Sequence, residues 1–160
     1  MVSEQGNLTL LNTPVAQDLL NSRIPARLAY NWSDGTPRVV PIAFHWDGQN
    51  LVMGTPPNAP KVKVIDGAKV AVTIDSNDAP WKVLMIRGTA EVTIMDGIVP
   101  EYALAVKRYM GEEGGSAWLA QLAPLAPQMA RIMITPEWSG LLDFEQRFPS
   151  ALEKAMEGLN

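Results

Sequence analysis

The sequence predicts a β-rich α+β fold, a small antiparallel β-barrel of six or seven strands with short flanking helices. Several segments alternate or concentrate β-branched and apolar residues as strands do. Asp-Gly pairs stand between the early segments, and such tight turns favour hairpins over the helical crossovers that a parallel sheet requires. Closing a sheet of this size into a barrel removes its two unpaired edges, which makes the barrel the favoured form.

The first predicted elements are a short helix and three strands. Thr13 and Pro14 fit an N-cap followed by proline at the first helical position, so a helix is expected over 14–21. Strands are expected at 27–31, 38–46 and 50–55, with turns at Asp34-Gly35 and Asp47-Gly48. This order predicts an antiparallel meander. Pro41 has no N–H to donate to a neighbouring strand, which favours an edge or a bulge there.

The second half of the chain mixes strands and helices. Strands are expected at 69–75, 82–94, 130–135 and 137–144, and helices at 61–65, 98–110, 116–122 and 148–156. Gly88, in the middle of a long strand, indicates a bulge or bend. Gly114-Gly115 is expected to separate two neighbouring helices. The chain has no repeat, linker or low-complexity tract, so a single domain over 1–160 is expected.

Composition excludes several classes of function. The 160 residues include no cysteine and one histidine, so disulfides, thiolate nucleophiles, Cys-ligated metals and multi-histidine metal sites are ruled out. The net charge of −4 supplies no basic field for nucleic acid. Neither a secretory signal nor an apolar run of about 20 residues is visible, which predicts a cytoplasmic protein.

Conventional catalytic groups are also missing from the sequence, and no catalytic residue can be named. His45 lies mid-strand and no G-x-S-x-G elbow accompanies it, so a hydrogen-bonded side chain on the barrel is favoured over a triad. The carboxylates stand at turns or on alternating strands, where solvated charges are usual; they are Asp66, Asp75, Asp78, Glu91, Glu112 and Glu113. No glycine-rich phosphate loop is present.

One arrangement suits a phosphate group. A strand ends at Gly54-Thr55, a proline-rich loop follows, and a helix begins near Lys61. A helix N-terminus offers free N–H groups, Lys61 and Lys63 add positive charge, and Arg38 lies on the preceding strand. The alternative is a solvated pair of lysines on a short helix, which the residues alone favour.

Several short motifs follow one another in a recognisable order. They are Ala26-Arg27-Leu28-Ala29, Asp34-Gly35-x-Pro37-Arg38-Val39-Val40-Pro41, Asp47-Gly48, Leu51-Val52-Met53-Gly54-Thr55, Pro60-Lys61-Val62, Val70-Ala71-Val72 and Arg87-Gly88-Thr89-Ala90-Glu91. With them, the chain from about 23 to 148 resembles the flavin-binding split-barrel family, which contains the pyridoxamine 5′-phosphate oxidases and related flavin and deazaflavin oxidoreductases. The resemblance implies a split barrel that forms a homodimer, with two FMN cofactors in grooves between the subunits.

The resemblance also assigns cofactor contacts. The residues it implies are Arg38, Val39, Val40, Pro41, Ile42, Met53, Gly54, Thr55, Lys61, Val62 and Trp138. Lys61 matches the family's phosphate-binding lysine, which makes the phosphate hypothesis the favoured one. Trp138 is similar to the segment that reaches the partner's flavin, although the residues alone equally allow burial at a subunit interface.

The function implied is that of an FMN-dependent oxidoreductase that moves hydride to or from a small substrate. Ala59-Pro60-Lys61 stands where the oxidases usually carry Ser/Thr-Arg-Lys, and 141–147 lacks their Arg- and His-bearing tail, which argues against a true pyridoxamine phosphate oxidase. Three alternatives stay open. They are a reductase dependent on the deazaflavin coenzyme F-420, a non-enzymatic flavin or haem binder in which His45 is the one imidazole available to iron, and a structural dimer with an empty groove.

Overall fold

The computed structural model describes residues 4–159, which form one antiparallel sheet with short helices around it. The strands are β1 (Ala26–Asn31), β2 (Pro37–Ile42), β3 (His45–Trp46), β4 (Leu51–Thr55), β5 (Lys69–Asp75), β6 (Val83–Asp96) and β7 (Gln128–Leu142). The α-helices are α1 (Pro14–Leu20), α2 (Val62–Ile65), α3 (Pro100–Met110), α4 (Glu112–Leu122) and α5 (Ser150–Glu157), and 3-10 helices span Leu8–Asn12 and Ala123–Leu125. The predicted β-rich α+β fold is confirmed. No helix in 4–159 has the length and apolar character needed to cross a membrane.

The sheet is closed by a very short connection. Its strand order is β2-β1-β5-β6-β7-β4-β3, so β2 and β3 stand at opposite ends. In the chain, however, Ile42 ends β2 and His45 begins β3, and a connection of this length spans at most about 11 Å. The two ends of the sheet must therefore lie side by side, which curls the sheet into a barrel.

The same connection splits the barrel wall. β3 pairs with β4 through His45 and Val52, whereas within the described residues β2 pairs with β1 alone. The prediction of one strand over 38–46 and of a three-stranded meander is therefore wrong. The reason is Phe44, whose side chain is fully buried and turns the chain inward between β2 and β3. Within the described residues β2 and β4 share no hydrogen-bonded ladder, so the barrel wall is open between them.

One apolar core fills the barrel. The inward side chains of the strands alternate with outward ones, as the buried residues Val70, Val72 and Ile74 of β5 illustrate. Ile65 of α2 and Leu20 of α1 are fully buried in the same core, so both helices close the barrel from outside. Each such side chain contributes roughly 1.5–3 kcal/mol to folding.

The second half of the chain departs from prediction at two places. β7 runs unbroken through Pro136, because the register shifts at Gly88 and leaves Glu137 without a partner across the ladder. The bulge expected at Gly88 is thus confirmed, and a Cβ there would lie 2.1 Å from the carbonyl oxygen of Thr135. α3 and α4 are separated by Gly111, whose φ is 80°, and not by Gly114-Gly115, which lie inside α4.

Candidate functional site

The unpaired edge of β2 forms one side of the opening. Val40 and Ile42 point inward and pack against the core, whereas Val39 is 65% exposed and Pro41 is exposed on the outer face. The Arg38 guanidinium lies over the Trp32 ring at 4.9 Å from the ring centre. A free strand edge offers backbone hydrogen-bonding groups, so β2 can receive a flat ligand that carries donors and acceptors.

The end of β4 forms the facing side. Met53 is fully buried in the barrel core, so its side chain does not face the opening and its backbone alone can meet a ligand. Gly54 and Thr55 are buried as well. A Cβ on Gly54 would lie 2.7 Å from the Cβ of Tyr102, so glycine is required for α3 to pack directly on β4.

Lys61 stands immediately before α2 and next to the half-buried Val62. Its side chain is half-buried, and within residues 4–159 it has no hydrogen-bond or ion-pair partner. Burial lowers the pKa of the Lys61 ammonium because it removes water from the charged form. α2 is a single turn, so the positive charge at this position comes from the lysine and not from a helix dipole. An anionic group placed here would restore the lost charge stabilisation.

Trp138 lies apart from the other predicted cofactor residues. It pairs with Arg87 across β6 and β7, several residues beyond the stretch of β7 that pairs with β4. The Arg87 guanidinium covers one face of the indole, with its Cζ 4.1 Å from the ring centre, and Gly6 packs against the ring. Within one chain, Trp138 therefore does not join the opening between β2 and β4.

A shallow hollow of about 420 Å³ lies near Trp138 on the outer face of β1, β5 and β6. Its lysine, Lys69, is already paired, with its Nζ 2.7 Å from both carboxylate oxygens of Glu137. Hydrogen bonds from Lys69 and Thr89 lower the pKa of the Glu137 carboxyl. This pairing neutralises Lys69, so its ammonium is not available to an anion in the way that the Lys61 ammonium is.

His45 is half-buried at the start of β3. Burial and the nearby Arg108 guanidinium lower the pKa of its imidazole, so the ring is neutral at pH 7. Beside it, Arg131 Nη2 binds Glu101 Oε1 at 2.6 Å, whereas the buried Oε2 of that carboxylate has no hydrogen-bond partner within residues 4–159. In the described part of the chain, no three His, Cys, Asp or Glu side chains are placed to hold a metal ion.

Sequence reasoning missed a pocket of about 470 Å³ between α3, α4 and the end of β4. Six of the residues that line it are Gly54, Thr55, Tyr102, Trp118, Leu122 and Met129. The Trp118 indole N–H donates to the Tyr102 hydroxyl oxygen at 3.1 Å. Aromatic residues in amphipathic helices usually indicate core, so no sequence pattern predicts that α3 and α4 enclose a space.

Comparisons with known proteins identify the family. A family model described as pyridoxamine 5′-phosphate oxidase matches residues 14–107. A comparison with curated proteins gives no significant match. Among solved structures, an F-420 reductase is 25% identical with a TM-score of 0.58, and the alignment covers 78% of this chain and 94% of that one.

Two mycobacterial structures share the fold at lower identity. A conserved hypothetical protein of Mycobacterium tuberculosis is 17% identical with a TM-score of 0.65, covering 91% of both chains. An FAD and heme binding protein of Mycobacterium smegmatis is 23% identical with a TM-score of 0.57, covering 88% of this chain and 75% of that one. The family match spans more than half of the sequence, and the observed split barrel agrees with it. The chain therefore belongs to the pyridoxamine 5′-phosphate oxidase family of split-barrel proteins.

Proposed function

We propose that this protein binds FMN and acts as a flavin-dependent oxidoreductase on a small substrate. The observation that carries the proposal is Lys61, a half-buried ammonium with no partner in 4–159, at the position where the family holds a phosphate. An unpaired, partly desolvated cation is costly in the free protein. A phosphate monoester would supply both the missing charge and hydrogen-bond acceptors.

The residues of the opening fit the other parts of such a cofactor. The free edge of β2 from Arg38 to Ile42 offers backbone donors to the polar edge of a flavin ring, and Gly54 and Thr55 would meet the ring or its ribityl chain. Val62 would pack beside the phosphate that Lys61 holds. When bound, the flavin supplies the hydride chemistry, while the chain binds it, orients it and limits its contact with water.

We propose further that two copies of the chain complete the site. Trp138 lies away from the opening of its own chain and is partly exposed, so in a homodimer its exposed part would contact the cofactor of the partner subunit. Val39 and Trp81 are large apolar side chains that are 65% and 52% exposed, and a subunit interface would cover such surfaces.

The test begins with the visible absorption spectrum of the purified protein and a titration with FMN. Lys61→Ala should weaken FMN binding about 10- to 150-fold, which corresponds to ~1.5–3 kcal/mol for a hydrogen bond to a charged group. Lys154→Ala, on the exposed α5, is the control and should bind FMN as the wild type does. Equal FMN affinity in the wild type and Lys61→Ala would refute the phosphate placement.

A second candidate is a reductase that uses coenzyme F-420. It is supported by the 25% identity to an F-420 reductase and by the exposed Lys63, two residues after Lys61. The acidic tail of this deazaflavin would engage both lysines, whereas FMN needs Lys61 alone. Lys63→Ala therefore separates the two cofactors: we expect weaker binding of coenzyme F-420 and unchanged binding of FMN.

The non-enzymatic alternative is a flavin or haem carrier. It is supported by His45, whose neutral imidazole is in the form that can ligate iron. A haem titration of wild type and His45→Ala tests axial ligation, which requires a loss of affinity in the variant. Oxidation of added reductant by the flavin-loaded protein distinguishes an enzyme from a carrier.

A further inference from the structure

The pocket between α3, α4 and β4 is uncharged and rests on an apolar floor. None of the described residues that line it is Asp, Glu, Lys or Arg. Its floor is a second apolar cluster, separate from the barrel core, in which Val99, Ala126 and Met129 are buried and Tyr102 and Leu122 are partly buried. The floor is therefore packed protein, and the pocket is a preformed concavity.

We infer that this pocket binds a neutral, largely apolar aromatic ring. A charged ligand would lose its hydration there without gaining a partner of opposite charge. Two apolar side chains at the pocket, Trp118 and Leu125, are 41% and 79% exposed, and a bound ring would cover both. The volume of about 470 Å³ lies within the range of small-molecule sites.

The pocket also offers a hydrogen-bond donor that would orient the ring. The Tyr102 hydroxyl oxygen already accepts the indole N–H of Trp118, so its own proton is left to donate. A carbonyl oxygen on the ligand is a fitting acceptor for that proton. The ligand class is therefore an uncharged ring compound that carries a carbonyl group.

The position of the pocket suggests what the ring is for. Gly54 and Thr55 line it, and the same two residues are proposed to contact the cofactor. A ring held there would lie beside the flavin, as a substrate must. The assignment of this ring as substrate rests on the proposed function, whereas the binding of the ring does not.

Calorimetric titration of the cofactor-free protein with two matched compounds tests the binding. 2-Acetylnaphthalene is neutral and carries a carbonyl group, and 2-naphthoate has the same ring system with a negative charge. We expect the neutral compound to bind at least tenfold more tightly. Equal or tighter binding of 2-naphthoate, or no binding of 2-acetylnaphthalene, would overturn the inference.

Two variants locate the bound ring. Leu125→Asp places a charge at the pocket on a residue too exposed to matter for folding, and we expect at least a tenfold loss of 2-acetylnaphthalene affinity. Leu104→Asp is the control, because Leu104 is 53% exposed on α3 and does not line the pocket. Equal affinity in these two variants would place the ring elsewhere and refute the site.

Tyr102→Phe tests the donor without changing the shape of the pocket. We expect about a fivefold loss for 2-acetylnaphthalene and no loss for 2-ethylnaphthalene, which has no acceptor. Equal changes for both compounds would contradict the hydrogen bond.

An FMN titration in parallel separates this inference from the proposed function. Ring binding without FMN binding would support the pocket and remove the substrate assignment. FMN binding without ring binding would refute the pocket alone. Competition between the ring and FMN would make the pocket part of the cofactor site and overturn the substrate assignment.

Discussion

Lys61 shows at the scale of one residue how a half-buried charge can cost stability. Its ordinary pKa is 10.5, and burial lowers that value in the folded chain. The folded state therefore holds this proton less firmly than the unfolded state. The charged lysine destabilises the cofactor-free fold fully at every pH below the lowered pKa, and this penalty declines as the pH rises from that pKa to 10.5.

Replacing this charge by an apolar side chain of similar length should therefore raise stability and lower binding. We expect Lys61→Met to have a higher melting temperature than the wild type at pH 7 without cofactor, and to bind FMN more weakly. Thermal unfolding followed by circular dichroism measures the first effect. Lys63→Met is the control, because Lys63 is exposed and should leave the melting temperature unchanged. A lower melting temperature in Lys61→Met would contradict this account of the site.

Two adjacent glycines of α4 should respond in opposite directions to the same change. A Cβ at Gly114 would come no closer than 3.6 Å to Met110, whereas a Cβ at Gly115 would lie 2.7 Å from the Cα of Lys107. Gly114→Ala should stabilise the fold by about 0.5–1 kcal/mol through helix propensity. Gly115→Ala should destabilise it by about 1–3 kcal/mol, because α3 must move away. Urea unfolding measures both, and effects of the same sign would refute the close approach of the helices.

At the scale of elements, α3 is held to the barrel by its last turn. The Arg108 guanidinium donates to the carbonyl oxygens of Ser22 and Phe44, and the Tyr109 hydroxyl donates to the carbonyl oxygen of Ile24 at 2.9 Å. These bonds link α3 both to the segment before β1 and to the connection between β2 and β3. α3, which lines the pocket, is thus fixed to the barrel beside the connection between β2 and β3.

Arg108→Met should therefore cost much more than the same change at the neighbouring lysine. Loss of the two charge-assisted bonds leaves the Ser22 and Phe44 carbonyls without this donor, and we expect a loss of about 1.5–3 kcal/mol in the free energy of unfolding. Lys107→Met breaks a pair with Glu112 that is largely exposed, and should change stability by less than about 0.5 kcal/mol. Urea unfolding of both variants checks this, and similar losses would show that the Arg108 bonds do not hold the helix.

The elements could be predicted where local signals decide the structure. The alternation of β5 and the Thr13-Pro14 start of α1 predicted those elements at nearly their observed bounds. The break after Ile42 could not be predicted, because the strand pattern continues through Phe44 and burial of that ring is decided by the closed barrel. The place of Pro136 inside β7 likewise depends on the bulge opposite Gly88, a contact between strands far apart in sequence.

The residues proposed to hold the cofactor stay a prediction. The strand–loop–helix arrangement pointed to Arg38, Gly54-Thr55, Lys61 and Lys63 as suited to a phosphate. The family motifs were needed to favour that hypothesis and to choose Lys61 over Lys63. The motifs do not show which part of a residue faces the opening: the Met53 side chain belongs to the core, which leaves its backbone for a ligand. The pocket lined by Tyr102 and Trp118 could not be predicted from the sequence, because it depends on how α3 and α4 pack.

At the scale of the whole molecule, the proposed dimer has a direct test. Val39→Glu places a charge on the outer face of β2, where the proposed partner would pack. We expect the wild type to elute with twice the mass of one chain in size-exclusion chromatography with light scattering, and Val39→Glu to shift toward one chain. Leu104→Glu, on a comparably exposed leucine of α3, should stay dimeric. A wild type with the mass of one chain would refute the dimer.

The short link through Ala43 and Phe44 also bears on how the barrel forms. A barrel usually closes between strands distant in sequence, and the entropy lost in that closure rises with the length of the loop. Here the two ends of the sheet are neighbours in the chain, so their approach costs almost nothing. The largest loss of entropy comes instead from pairing β4 with β7, for example Leu51 with Ile134. No other neighbouring strands of the described sheet are so far apart in sequence. The pairing of β7 with β4 should accordingly limit the rate of folding. Substitutions in the connection between β2 and β3 should change the unfolding rate far more than the folding rate.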